Sequence, residues 1–214
     1  MTRLPGHVKF ALPLIFALCI IYASPVHAQS TLTDTRLQNG AAPLELPFFE
    51  DTTQTGSVQQ AAVQFQRFGG SPDIFNVTKP LVVSGKGEML WLHLDIANNS
   101  STGSFVLSFA PQDKHGIAAV KAVRLFDPMQ PNAPIAEWPS GADASSLPTL
   151  SLSLPHGMGV ARYIQIETWP GLNATLLPLL KTTALQATEN ASQDKKTNLL
   201  LLLVGFVCGA GLIQ

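Results

Sequence analysis

Along residues 90–96 apolar and polar side chains alternate one for one: Leu90, Leu92, Leu94 and Ile96 share one side, Trp91, His93 and Asp95 the other. An extended chain turns successive side chains to opposite faces, so this run predicts a strand with one buried face. The polar stretch Asn98-Asn99-Ser100-Ser101-Thr102-Gly103 follows, and then Phe105, Leu107 and Phe109 alternate again. Two alternating runs around such a loop predict a hairpin with a long connection. More strands are expected over 120–126, 135–138, 150–154, 163–167 and 175–179, with turn residues between them such as Asp127-Pro128, Pro155-His156-Gly157 and Pro170-Gly171. Pro47 to Asp51 is expected as a short strand ending in an acidic turn. One short helix is expected after it, because Ser57 and Gln60 have the spacing of a reciprocal cap and Val58, Ala62 and Phe65 fall on one helical face. Residues 29–44 show no period and are expected as a leading arm. Many short strands with little helix predict an all-β fold, a β-sandwich of jelly-roll type.

Both ends of the chain are apolar. At the amino end Arg3 and Lys9 precede an apolar run from Phe10 to Ser24, and Val26-His27-Ala28 offers small residues at a cleavage position. That is the three-part pattern of a signal peptide, with cleavage expected after Ala28. An uncleaved anchor is the alternative, opposed by Pro13, Pro25 and the shortness of the run. At the other end Leu199 to Ile213 is uncharged over 15 residues, where crossing a bilayer takes about 20 at 1.5 Å each. Lys195 and Lys196 precede this block and no cation follows it, so the positive-inside rule finds no cytoplasmic anchor. The expectation is a membrane helix over 198–214 that is incomplete, the first of a longer membrane region; a lone tail anchor is the alternative. Gly205, Gly209 and Gly211 would permit close helix approach. The domain plan is then a signal peptide over 1–28, an arm over 29–44, a sandwich over 45–181, a polar flexible juxtamembrane link over 182–197, and the membrane segment.

Composition narrows the function classes. Charged residues make up 13% of the chain, about half the usual share. The net charge of −1 becomes −3 once Arg3 and Lys9 leave with the signal peptide, and no basic stripe exists for nucleic acid. The two cysteines, Cys19 and Cys208, both lie in the apolar ends, so a hydrophobic core and not a disulfide must hold the exported domain.

Four motifs in order carry a family resemblance: Phe48-Phe49-Glu50-Asp51; Trp91-Leu92-His93-Leu94 with Asn98 closing the strand; Val123-Arg124-Leu125-Phe126; and Tyr163-Ile164-Gln165-Ile166-Glu167 before Pro170-Gly171. Over Glu45 to Lys181 the chain resembles the type 2 extracellular domain of the bacterial seven-transmembrane receptors with diverse intracellular signalling modules. Phe126 stands where a tyrosine is common in that family. The resemblance implies a periplasmic sensor domain with a jelly roll similar to carbohydrate-binding modules, joined in longer relatives through seven helices to an output such as a diguanylate cyclase or histidine kinase. Six helices and the output module are missing from this sequence, so no signalling enzymology carries over. The partners this implies are a small glycan or another periplasmic ligand, the bacterial inner membrane and a second copy of the chain.

Candidate chemistry is sparse. No His-x-x-His, Cys-x-x-Cys or His-Glu-x-x-His spacing links His93, His115 and His156, so neither a metal nor another cofactor is expected. Gly-x-Ser-x-Gly is absent, and Glu88, Asp95, Glu137 and Glu167 offer a carboxylate pair only if the fold brings two together. An enzyme is not expected. Binding has more support: sugars stack on exposed aromatic rings, and Trp91, Trp138 and Trp169 all fall at or near expected strands. Trp91 shares a side with His93 and Asp95, and Arg124 shares one with Val120, Ala122 and Phe126. The candidate ligand contacts are therefore Trp91, His93, Arg124, Trp138 and Trp169, set against buried packing for the tryptophans and simple solvation for the arginine.

Overall fold

A computed structural model describes residues 30–51, 56–67, 73–75, 80–112, 116–139 and 147–210. The expected signal peptide and His115 lie outside these residues. In chain order the elements are β1 (Ser30–Leu32), β2 (Ala41–Pro43), β3 (Leu46–Asp51), α1 (Val58–Arg67), β4 (Asp73–Phe75), β5 (Leu81–Lys86), β6 (Met89–Asn98), β7 (Ser104–Pro111), α2 (Gly116–Ala119), β8 (Val120–Phe126), β9 (Ala136–Pro139), β10 (Thr149–Ser153), β11 (Gly159–Thr168), β12 (Pro170–Thr182) and α3 (Thr183–Ala210).

The strands form two sheets. The larger runs β4-β3-β6-β11-β8-β9, with β1 added parallel to β6; the smaller runs β10-β7-β12-β2, with β5 also on β12. From β5 to β12 the chain crosses from one sheet to the other at every connection except the β8–β9 hairpin. The all-β, sandwich-like fold expected from the alternation is what the chain forms. Leu90, Leu92, Leu94 and Ile96 from β6 meet Phe105, Leu107 and Phe109 from β7 in one core between the sheets, joined by Val123, Leu125, Ile164, Ile166, Leu176 and Leu180. Each such side chain contributes about 1.5–3 kcal/mol by leaving water.

That core explains why β6 and β7 are not the expected hairpin. They do not pair: β6 bonds to β11 and β3, and β7 to β10 and β12. Both present an apolar face to the same interior from opposite sides, so the chain between them steps across the sandwich. Asn98 builds the step. Its buried amide donates to the carbonyls of Thr102, at 2.7 Å, and Leu154, at 2.5 Å, while its Oδ1 accepts from Ser100 N–H at 2.9 Å.

Two other expectations change. The arm is woven into both sheets from Ser30 onward, with Leu32, Leu37, Ala42 and Leu44 buried. Its apolar residues are too few and too irregularly spaced to show a period, yet each fills a place in the core. The flexible link is helix from Thr183, because Ala184, Leu185, Gln186, Ala187 and Glu189 favour helix and Thr182 Oγ1 accepts Leu185 N–H at 3.2 Å as a cap. Thr188 and Thr197 return their hydroxyls to the carbonyls of Ala184 and Gln193, both at 3.0 Å. The expected membrane segment is helical as far as Ala210, and 211–214 lie outside the described residues. Among the described residues no helix is long and apolar enough to cross a membrane.

The expected helix is present as α1 with its reciprocal cap: Ser57 N–H donates to Gln60 Oε1 at 3.0 Å, and Gln60 N–H to Ser57 Oγ at 3.3 Å. Val58, Ala61 and Phe65 are its buried residues, with Ala62 packed beside them. They cover a second, smaller apolar cluster on the outer face of the larger sheet.

Candidate functional site

Residues that alternate out of the core line up on that outer face. One register row crosses five strands: Phe49 on β3 is opposite Trp91 on β6, Trp91 opposite Gln165 on β11, Gln165 opposite Arg124 on β8, and Arg124 opposite Glu137 on β9. A neighbouring row places His93, Tyr163 and Phe126 side by side. Three of the five sequence candidates, Trp91, His93 and Arg124, are therefore on one face.

The α1 side of this face is closed. Trp91 is only 1% exposed, and its ring centre is 5.7 Å from that of Phe126. Phe65 descends from α1 to within 4.9 Å of Phe49, 5.5 Å of His93 and 5.8 Å of Tyr163, ring centre to ring centre. His93 stacks on Tyr163 at 5.1 Å and 27°. Burial pushes the Tyr163 phenol above its ordinary pKa. Trp91 is thus packing under a helix rather than an open platform, and its indole N–H is buried with no acceptor among the described residues.

The side away from α1 is open and charged. Arg124 donates from Nε to Glu137 Oε1 at 2.7 Å, and from Nη1 to Gln165 Oε1 and Glu167 Oε2, both at 3.0 Å. Gln165 in turn donates to Met89 Sδ at 3.1 Å. Lys121 forms an ion pair with the other oxygen of Glu167, and its ammonium sits 5.2 Å from the centre of the Trp169 ring. A bulge aims Lys121 there. Glu167 pairs with Ala122 and the next residue, Thr168, with Val120, which leaves Lys121 as the extra residue. The same irregularity turns Val120 into the main core, away from the side it was expected to share with Arg124.

Trp169 is 42% exposed, the one tryptophan of the three that presents its ring to solvent. Trp138 does not join the face. It pairs with Val123, points inward and belongs to the main core at 8% exposure, so it is not available to a ligand.

Electrostatically the open ledge is balanced, two cations against two carboxylates. Burial alone would raise the Glu167 pKa, but hydrogen bonds and charge from Lys121 and Arg124 outweigh it and hold the carboxyl below its usual range. Burial would likewise lower Arg124, and Glu137 and Glu167 outweigh that to hold it above its usual value. Such a surface offers fixed donors and acceptors beside an aromatic ring, which suits recognition of a polar ligand. Lys121, Glu137, Gln165 and Glu167 were not candidate ligand contacts in the sequence, because only the cross-strand register brings them around Arg124. Among the described residues no group of three or more His, Cys, Asp or Glu could hold a metal ion.

No family model matches the chain, and no curated protein matches it.

Proposed function

We propose that this chain is the extracytoplasmic ligand-sensing part of a bacterial membrane receptor, a jelly-roll-type sandwich that reads a small polar ligand, a glycan being the first class to test. The observation that carries this reading is the ledge Trp169–Lys121–Glu167–Arg124 and its position in the chain. Trp169 immediately precedes β12 and α3 immediately follows it. One strand of 13 residues therefore joins the ledge to the helix, a reach on the order of 40 Å. Strand crossing at nearly every connection supports the jelly-roll form, and the apolar run after Asn198 supports attachment to the inner membrane. The chain acts by binding, and α3 carries the result onward.

The test is titration of the full chain with a panel of neutral and acidic oligosaccharides, followed by heat of binding. Saturable binding that weakens about tenfold or more in Trp169→Ala, with the unfolding midpoint unchanged, is expected. Absence of saturable binding across the panel, or binding indifferent to Trp169→Ala and Arg124→Ala, would sink it.

A second reading is an anchored module that docks a protein. It is favoured by the outer face of the smaller sheet, whose central rows Thr149–Ser108–Leu179–Pro43 and Ala110–Leu177 carry no charge. Crosslinking that returns one stable protein partner, with no glycan bound, would favour this second reading.

A further inference from the structure

The junction where β12 becomes α3 combines three features that pull in opposite directions. The first is a buried cation. Lys181 is 9% exposed, and its ammonium is held by Glu189 Oε2 at 2.6 Å, two turns up the helix. A lysine at that depth needs a partner, and removal of the partner leaves an uncompensated charge. This pair therefore fixes one pose of the helix on the sandwich.

The second feature is steric. Gly40, at φ +80°, lies against the root of α3; a methyl group there would sit 3.0 Å from Thr182 Oγ1 and 3.2 Å from Leu185 Cβ. The absence of a side chain at Gly40 is what lets the first helical turn sit this close. Beyond Gln186 the seat ends: residues 187–198 are exposed on every side. A helix that is polar all round is a bridge through solvent rather than a packed element.

The third feature opposes the other two. Gln186 spends its amide N–H on Asn190 Oδ1 at 2.9 Å, while its Oε1 is buried without a donor among the described residues. A buried acceptor left unpaired works against the pose that buries it. Swinging α3 off the sandwich would hydrate both the Gln186 carbonyl and the Lys181 ammonium, at the expense of the Glu189 pair and the Leu185 contact.

We propose that the root of α3 is a two-pose joint: docked through Lys181–Glu189 and the Gly40 seat, and biased toward release by the unpaired Gln186 carbonyl. A ligand on the sandwich moves α3 only by favouring one pose over the other. That use rests on the sensing reading; the joint itself does not, and ligand-free protein tests it alone.

Hydrogen–deuterium exchange of the full chain, read peptide by peptide, is the experiment. Glu189→Gln should speed exchange over residues 183–190 about tenfold while peptides from β6 and β11 keep their rates. Gln186→Leu should slow the same residues several-fold, and it remains informative if the first variant folds poorly. Unchanged exchange at the root in Glu189→Gln, acceleration shared equally by β6 and β11, or no slowing in Gln186→Leu would each overturn the joint. A joint that behaves as expected in a chain that binds no glycan would leave the joint standing and remove the sensing role.

Discussion

Trp91 and Trp169 belong to the same protein surface and differ in one circumstance. Both are tied to the outer side of the larger sheet, but α1 lies over the first and nothing described lies over the second. Under the helix, Trp91 joins Phe126, Tyr163 and Phe65 as a small core of its own. Away from it, Trp169 keeps part of its ring in water beside Lys121. An aromatic residue facing away from the main core is therefore not yet a platform, and what covers the face decides its role.

The contrast can be broken experimentally. Trp91→Ala should cost about 3–5 kcal/mol of stability, as expected for a large buried ring, whereas Trp169→Ala should stay within about 0.5 kcal/mol. Denaturant midpoints of the two variants check both; equal losses would mean the two faces are not distinct. Ser57→Ala tests the cover instead of the covered. Loss of the reciprocal cap should cost about 1 kcal/mol in the same measurement and should make the aromatic cluster more accessible to a collisional quencher of tryptophan fluorescence.

A smaller effect sharpens the open side. The folded Glu167 pKa lies below its unfolded value, so its charge interactions stabilise the fold above the ordinary carboxylate pKa, near 4.3, and are lost as pH falls through the depressed folded value. The wild-type midpoint should therefore exceed that of Glu167→Gln at neutral pH, and the gap should close in acid. A gap that is constant with pH would assign the difference to packing. Because Lys121 and Glu137 are well exposed, the gap should be modest and should shrink in salt.

The fold was legible where one side of an element is wholly apolar and the other carries polar residues. Residues 90–96, 105–109 and 163–167 alternate because each strand has a core side, and Ser57 with Gln60 announced α1 because a cap is a local interaction. Pairing partners were not legible. Residues 90–96 and 105–109 look the same whether they bond to each other or face each other across a core, and sequence distance favoured the hairpin. The site failed in part for the same reason. Trp138 falls on an expected strand, and its register opposite Val123 turns it inward. The ledge around Arg124 depends on three strands and one bulge, none of which leaves a mark on neighbouring letters. The amino-terminal arm was missed because its buried residues arrive singly.

That arm also sets when the molecule can finish folding. Ala41 on β2 pairs with Lys181 on β12, about 140 positions later in the chain. A growing polypeptide that emerges amino end first can pair β1 once β6 has appeared, but it must hold β2 unpaired until almost every other strand has followed. Closure of so long a loop belongs to the slow class of folding events, and the interval leaves Ala42 and Leu44 open to holdase chaperones. Seating of the last strand is thus the step that ends the chain's vulnerability, and β12, through which the ledge is joined to α3, is also the clasp that completes the domain.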